Sequence, residues 1–352
     1  MSTRVGKAAR LARQVRCRPS LMTKIAKRLK IVLQFHPWFL EVSHQRVPSI
    51  DSQFATGPVI HSGDNIVLIA FLKLLARLPL RCFHRAGVVV GWLMYWSWPT
   101  YANRLRENLR ASAICASEHD YRMLLRENIR ESGKAVTEWV KIWFGPDRET
   151  NDLVIDCEGW SHVVEAQRRG KGIIFMTPHL GCFEIVAQYI AYRTPLTVLY
   201  RPPKKPWIEP LIVAGRSRAQ LGLAPTTRKG VQLLLKALRR GEAVGLLPDQ
   251  APNSRAGVWT NFFGRPAYTM SLVRKLQQTT GAAVISAFAE RLPCGGGFRM
   301  EFQPVTTENF DERALNRIVE DLVRGCPAQY MWSYNRHKVP RLATKQSPAP
   351  QG

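Results

Sequence analysis

Acidic residues are scarce in this chain. There are 26 Asp and Glu against 51 Lys and Arg in 352 residues, giving a net charge of +25 and a pI near 10.3. Such an imbalance needs an anionic counterpart, whether nucleic acid, anionic lipid, or an acidic protein or substrate. Cysteine is sparse and unpatterned. The seven (Cys17, Cys82, Cys115, Cys157, Cys182, Cys294 and Cys326) show no C-x-x-C spacing. That excludes a disulfide framework and a zinc site from the expectations and predicts reduced thiols and no metal. No signal peptide with an apolar core and small-residue cleavage site is visible near the start. Zinc-finger, RNP, KH and clear helix-turn-helix patterns are missing too, which argues against nucleic acid as the anionic partner. Arg169-Gly-Lys-Gly-Ile-Ile lacks the G-x-x-x-x-G-K-[ST] spacing of a phosphate-cradling loop and precedes a strand.

What remains is a globular chain with an unusual front end. Residues 1–60 form a basic leader, with eleven Lys and Arg between Arg4 and Arg46 against Glu41 and Asp51. It reads as a poorly ordered basic arm for anionic surfaces, an organellar presequence, or an extension without a role. Residues 61–99 differ. An apolar stretch opens at Asn65, and Ala86 to Trp98 runs thirteen residues without a charge. Lys73, Arg77, Arg81 and Arg85 interrupt the region, which therefore falls short of the roughly 20 apolar residues of a spanning helix. With Trp92, Tyr95, Trp96 and Trp98, the pattern predicts a membrane-associated pair of helices in one leaflet, broken at Pro79. The competing expectation is a helical hairpin buried against the globular body.

Residues 100–340 alternate helix and strand. Helices are expected at 118–144, 161–169, about 183–193, 207–221, 229–240 and 312–325. Strands are expected at 173–177, 197–200 and 243–248, with a hairpin near 283–303. This predicts an α/β domain with a largely parallel central sheet flanked by helices. Residues 341–352 are a polar, Pro-rich tail read as disordered.

Three polar clusters follow apolar strands: Pro178-His179-Leu-Gly181-Cys-Phe-Glu184, Arg201-Pro-Pro-Lys204-Lys205, and Asp249-Gln250. Ligands of open α/β sheets bind beyond the carboxyl ends of parallel strands, so His179, Glu184, Arg201 and Asp249 should converge on one edge. Five residues apart on a straight helix, His179 and Glu184 would diverge by about 140°. They can meet if His179 lies in the turn before a helix that contains Glu184, a placement that Pro178 suits. A histidine so placed can take a proton from a hydroxyl, and a carboxylate can fix its tautomer. No serine or cysteine stands out as an activated nucleophile, which favours direct attack by a substrate hydroxyl. Gly181 would leave room for substrate beside exposed amides able to hold an oxyanion. The alternative is a structural polar pair at a strand–helix turn.

The segment Thr-Pro-His179-Leu-Gly181-Cys-Phe-Glu184 resembles the H-x-x-x-x-E signature of bacterial lipid A late acyltransferases of lauroyl and myristoyl type, a branch of the lysophospholipid acyltransferase superfamily. The resemblance extends through Tyr200-Arg201-Pro, Pro248-Asp249-Gln250 and Gly257-Val-Trp-Thr-Asn-Phe262-Phe263-Gly264-Arg-Pro-Ala. It ends in Pro327-Ala-Gln-Tyr-Met-Trp332-Ser-Tyr-Asn-Arg336, covering roughly residues 65–340. Tyr334 stands where the family pattern leads one to expect histidine, and the basic leader has no family counterpart.

The resemblance implies an O-acyltransferase that takes a lauroyl or myristoyl chain from acyl-acyl carrier protein. Acyl-acyl carrier protein would be the co-substrate, with no other cofactor. The acceptor would be a hydroxyl of an anionic, Kdo-bearing lipid A precursor, at the cytoplasmic face of the inner membrane. His179 becomes the general base and Glu184 its partner. Arg201 would neutralise a substrate phosphate or the oxyanion, and Arg255 is a weaker phosphate candidate. Asp249 would orient the acceptor or pair with Arg201. Phe262 and Phe263, with Trp259, would wall an acyl-chain groove. Two other readings stay open: a different acceptor, such as a phosphatidylinositol mannoside or an ornithine lipid, or a non-catalytic basic protein that binds membrane or nucleic acid.

Overall fold

The computed structural model describes residues 63–203, 209–252 and 256–340. The basic leader, the Pro-rich tail, Lys204, Lys205 and Arg255 lie outside the described residues. The first helices are α1 (Gly63–Leu75), α2 (Leu80–Ser97) and α3 (Pro99–Ala111). The break falls where Pro79, preset for extended backbone at ψ 146°, stands as the N-cap of α2. Next comes α4 (Glu118–Phe144), capped by Ser117, whose side chain accepts from the Asp120 N–H at 3.1 Å.

Helix α2 lies tight along α4, and glycine is the reason. A Cβ at Gly133 of α4 would stand 1.9 Å from the Gly87 carbonyl oxygen, and one at Gly91 would stand 2.1 Å from that of Ile129. The two backbones touch, so only hydrogen fits between them. The Thr137 hydroxyl donates to the Phe83 carbonyl at 2.6 Å across the same contact. One face of α2 (Leu80, Phe83, His84, Gly87, Gly91, Met94) is therefore buried on the globular body, while Val89 and Trp96 on the other face are exposed. Among the described residues no helix is long and apolar enough to cross a membrane.

A short helix α5 (Asp147–Asp152) precedes the main alternation. It runs β1 (Val154–Glu158), α6 (Trp160–Arg168), β2 (Ile173–Met176), α7 (Phe183–Ala191), β3 (Leu196–Tyr200), α8 (Glu209–Arg216), β4 (Leu221–Pro225), α9 (Arg228–Arg239) and β5 (Ala243–Leu246). A two-stranded ribbon, β6 (Gly257–Phe262) with β7 (Arg265–Met270), leads into α10 (Leu272–Thr280). The chain then forms β8 (Ala283–Arg291), β9 (Phe298–Pro304) and α11 (Glu312–Gly325), followed by a 3-10 turn at Pro327–Gln329.

Among the described residues the central sheet has seven strands in the order β1-β9-β8-β2-β5-β3-β4. Strands β8, β2, β5, β3 and β4 run parallel; β9 is antiparallel to β8, and β1 is parallel to β9. The sheet is thus largely parallel, with the expected β8–β9 hairpin turning its far side over. Strands β2 and β5, at the centre, are buried at every position, as apolar runs covered by helices on both faces should be. Strand β4 begins where a helix was expected to end, and α3, α5, β1, the β6–β7 ribbon and α10 were not among the expected elements.

A candidate active site at the ends of two central strands

Strands β2 and β5 are neighbours in register, Ile173 opposite Ala243 and Met176 opposite Leu246. The register runs on past the strands, since the Thr177 N–H donates to the Leu246 carbonyl at 3.0 Å. An offset of 70 residues pairs these strands, and the same offset separates His179 from Asp249. The two side chains therefore meet just beyond the carboxyl ends of adjacent parallel strands, where such sheets bind ligands. His179 Nδ1 lies 2.7 Å from Asp249 Oδ1, and the His179 backbone N–H donates to Asp249 Oδ2 at 2.9 Å.

Both residues are buried. Burial alone would raise the Asp249 pKa, but the His179 charge and its two N–H bonds outweigh that and hold the carboxyl below its usual range. An ionised carboxylate only accepts hydrogen bonds, so the neutral imidazole carries its proton on Nδ1 and presents a lone pair at Nε2. The Gln250 Nε2 amide lies 3.3 Å from that lone pair and donates to it. Phe183 packs edge-on against the ring, with centroids 5.0 Å apart. Tyr330 completes the surroundings. Burial, and then the nearby Asp249 charge, push its hydroxyl pKa well up, so it stays protonated beside the carboxylate.

The carboxylate at His179 Nδ1 is thus that of Asp249 and not that of Glu184, which differs from the sequence expectation. Glu184 sits in the first turn of α7, and its carboxylate is taken by other groups. The Trp143 indole N–H donates to Oε2 at 2.9 Å, Arg216 Nε donates to Oε2 at 3.1 Å, and Arg216 Nη2 pairs with Oε1. The Arg216 guanidinium also lies over the Trp143 ring, 5.1 Å from its centroid. All three side chains are buried, so this is a desolvated ion pair that ties α7 to α4 and α8.

Gly181 also departs from its expected part. Its φ of +58° favours glycine, and a Cβ there would stand 2.0 Å from the Ala289 carbonyl oxygen of β8. The room it leaves is filled by protein backbone. The neighbouring amides are engaged as well: Gly181 N–H donates to the Gln329 carbonyl at 3.1 Å and Cys182 N–H to the Ala289 carbonyl at 2.9 Å. An oxyanion would need other donors.

Arg201 follows β3, the strand next to β5, and is exposed on the same sheet edge. Phe262 and Phe263 are buried in an aromatic cluster, 4.9 Å apart, with Phe262 6.3 Å from Tyr330 and Phe263 5.4 Å from Trp332. Trp259 packs on Tyr268 at 5.4 Å. The crevice beside Phe262 and Phe263 measures about 10 Å³, room for a water molecule and far too little for an acyl chain. These two rings wall a packed corner behind Asp249.

Sequence reasoning passed over Gln250, Tyr330, Arg216 and Trp143. The first two stand inside motifs that the chain displays. Arg216 and Trp143 carry no local signal, because only the packing of α4 and α8 on α7 brings them to Glu184.

The family described as bacterial lipid A biosynthesis acyltransferase matches residues 61–339. A lipid A biosynthesis lauroyltransferase of Escherichia coli is 27% identical over 278 residues, covering 77% of this chain and 90% of the relative. A lipid A biosynthesis palmitoleoyltransferase of the same organism is 26% identical over 240 residues, covering 66% and 78%. A lipid A biosynthesis acyltransferase of Haemophilus influenzae is 27% identical over 283 residues, covering 77% and 89%. With a family match that spans most of the chain and takes in both His179 and Asp249, this protein belongs to the bacterial lipid A biosynthesis acyltransferase family and is an acyltransferase.

Proposed function

We propose that the chain moves a lauroyl or myristoyl group from acyl-acyl carrier protein to a hydroxyl of an anionic, Kdo-bearing lipid A precursor, with His179 as general base. The observation that carries this reading is the 2.7 Å contact that fixes the proton on His179 Nδ1 and leaves Nε2 basic. The acceptor hydroxyl displaces the Gln250 amide from Nε2 and gives its proton to the ring as its oxygen attacks the thioester carbonyl. Collapse of the tetrahedral intermediate breaks the C–S bond, the imidazolium protonates the departing thiolate, and an ester is left on the lipid. Asp249 orients the ring and stabilises the imidazolium. Arg201 and Arg255 are the proposed contacts to substrate phosphate or oxyanion. Glu184 supports the site by fixing the start of α7. Purified protein mixed in detergent micelles with loaded acyl carrier protein and the tetra-acylated Kdo-lipid precursor should add one acyl mass to the lipid. No gain with any of several acyl lengths would refute the acceptor and donor assignment.

The reading includes a membrane surface, the cytoplasmic face of the inner membrane. On α1 and the turn after it, Val67, Phe71, Leu74 and Leu78 recur every three or four residues and are exposed, with Lys73 and Arg77 between them. An apolar stripe flanked by cations suits anionic lipid headgroups. Changing Phe71→Glu and Leu74→Glu together should weaken co-sedimentation with anionic vesicles at least about tenfold, since two buried apolar side chains contribute roughly 3–6 kcal/mol. Undiminished vesicle binding would place the lipid contact elsewhere.

A further inference from the structure

A second cluster of buried charges lies behind the turn that carries His179. Its centre is Arg291 at the end of β8, whose side chain is 1% exposed. Arg291 Nε and Nη2 donate to the two oxygens of Glu138 at 2.7 and 2.5 Å, and Nη1 donates to Glu131 at 2.8 Å. Lys134 pairs with Glu131, and His84 Nε2 of α2 lies 3.0 Å from Glu138 Oε2. Two cations therefore face two carboxylates, all on or against α4. Two bonds leave the cluster: Arg291 Nη2 donates to the Gly181 carbonyl at 3.1 Å, and Nη1 donates to Gln329 Oε1 at 3.4 Å.

The bond to Gly181 completes the fixing of the catalytic turn. From His179 to Cys182 the backbone is bonded at nearly every polar atom. His179 N–H goes to Asp249 and its carbonyl receives the Met331 N–H at 3.1 Å. Gly181 N–H goes to the Gln329 carbonyl, and Cys182 N–H to Ala289. Gln329 in turn is gripped by Arg291, whose backbone N–H donates to Gln329 Oε1 at 2.8 Å and whose carbonyl accepts from Gln329 Nε2 at 2.9 Å. The Gly181 carbonyl thus depends directly on the Arg291 side chain, and its N–H on Gln329, which the Arg291 backbone holds.

Packing alone does not call for such a cluster. A buried ion-pair group exchanged for apolar residues of similar volume often leaves a protein equally or more stable. What apolar residues cannot supply is direction. A guanidinium held by two carboxylates presents its remaining N–H along a fixed line. The cluster keeps itself charged: burial would raise the Glu138 pKa, but Arg291 pulls it down to about 2.

We propose that Arg291 is a positioning residue for the acyl transfer, holding the Gly181 peptide so that His179 keeps its register with Asp249, and that Glu138 aims Arg291. The proposal rests on His179 being the general base. Arg291→Lys keeps the charge and loses the fork. In the full-length protein in detergent, kcat per folded molecule should fall about 10- to 100-fold, the range expected for a displacement of order 1 Å at the reacting groups. KM should stay within about threefold, because the loss is confined to the transition state. The downfield proton of His179 Nδ1–H, followed in protein with ¹⁵N-labelled histidine, should move upfield as the bond to Asp249 loosens. A lower unfolding midpoint with unchanged kcat per folded molecule and an unmoved proton would overturn the proposal. Should Arg291→Lys not fold, Glu131→Gln leaves the Glu138 pair intact. It should lower kcat by about 3- to 10-fold with the same direction of proton shift, and no change in either would overturn the proposal equally. Absence of acyl transfer by the wild-type protein would count against the proposed function. The His179 proton would then decide the positioning claim alone.

Discussion

Asp249→Asn lowers the acyl-transfer rate by about a thousandfold in a protein that stays folded, close to the loss from His179→Ala. The amide keeps the shape of the carboxylate but can turn an N–H toward the ring. His179 then carries its proton on Nε2, where the acceptor hydroxyl needs a lone pair. The imidazolium formed during attack also loses the charge that stabilises it. A wrong tautomer combined with lost charge costs on the order of 10³–10⁴ in rate where a His–Asp pair does this work. Stability should change little, since Asn still accepts the His179 backbone N–H that Asp249 Oδ2 now accepts at 2.9 Å. Steady-state transfer assays corrected for folded fraction check this. A loss below about tenfold, smaller than general base catalysis usually contributes, would separate Asp249 from the proton transfer.

Glu184→Ala has a different expected signature, a large loss of stability. The carboxylate is the counter-ion of Arg216, and both side chains are about 10% exposed. Removing it strands a guanidinium that cannot lose its proton and leaves the Trp143 indole N–H without its acceptor. Breaking a buried pair from one side costs about 3–5 kcal/mol. For a chain of this size that corresponds to a drop in the thermal midpoint on the order of 5–10 °C. Circular dichroism melts would show it, and Glu184→Ala combined with Arg216→Met should recover part of the loss. An unchanged midpoint with a thousandfold fall in kcat would instead make Glu184 a direct participant with His179.

The two residues show where sequence reading reaches and where it stops. The alternation of helix and strand was legible because β2, β3 and β5 are short apolar runs between amphipathic helices. A parallel arrangement of these strands by itself directs His179, Glu184, Arg201 and Asp249 toward one edge. The pairing within that set was not legible. Glu184 is five residues from His179 and Asp249 seventy, yet sheet register brings Asp249 to the ring, and helix packing turns Glu184 toward α4 and α8. Register between distant strands leaves no mark in local spacing. Residues 61–99 gave an apolar, cationic stretch. The sequence did not show that Gly87, Gly91 and Gly133 let α2 lie against α4, because small residues signal close approach only once both helices are in place. The β6–β7 ribbon went unseen for a related reason. Its two-residue loop is Phe263-Gly264, both with positive φ, and Phe is far from the Asn, Asp or Gly usual at the first position. Phe263 is kept there by its ring contact with Trp332 and by its N–H, which donates to Glu320 at 2.8 Å. Strand β1 lies at the sheet edge with mostly exposed side chains, so no apolar periodicity announced it.

The most direct test of the account is the lipid mass gained in detergent micelles by wild-type protein, His179→Ala and Asp249→Asn, assayed side by side with acyl carrier protein as donor. The account predicts one added acyl group with wild type, and rates about a thousandfold lower with either variant at equal folded fraction. Transfer by folded His179→Ala within about tenfold of wild type, too small a loss for an essential general base, would contradict it.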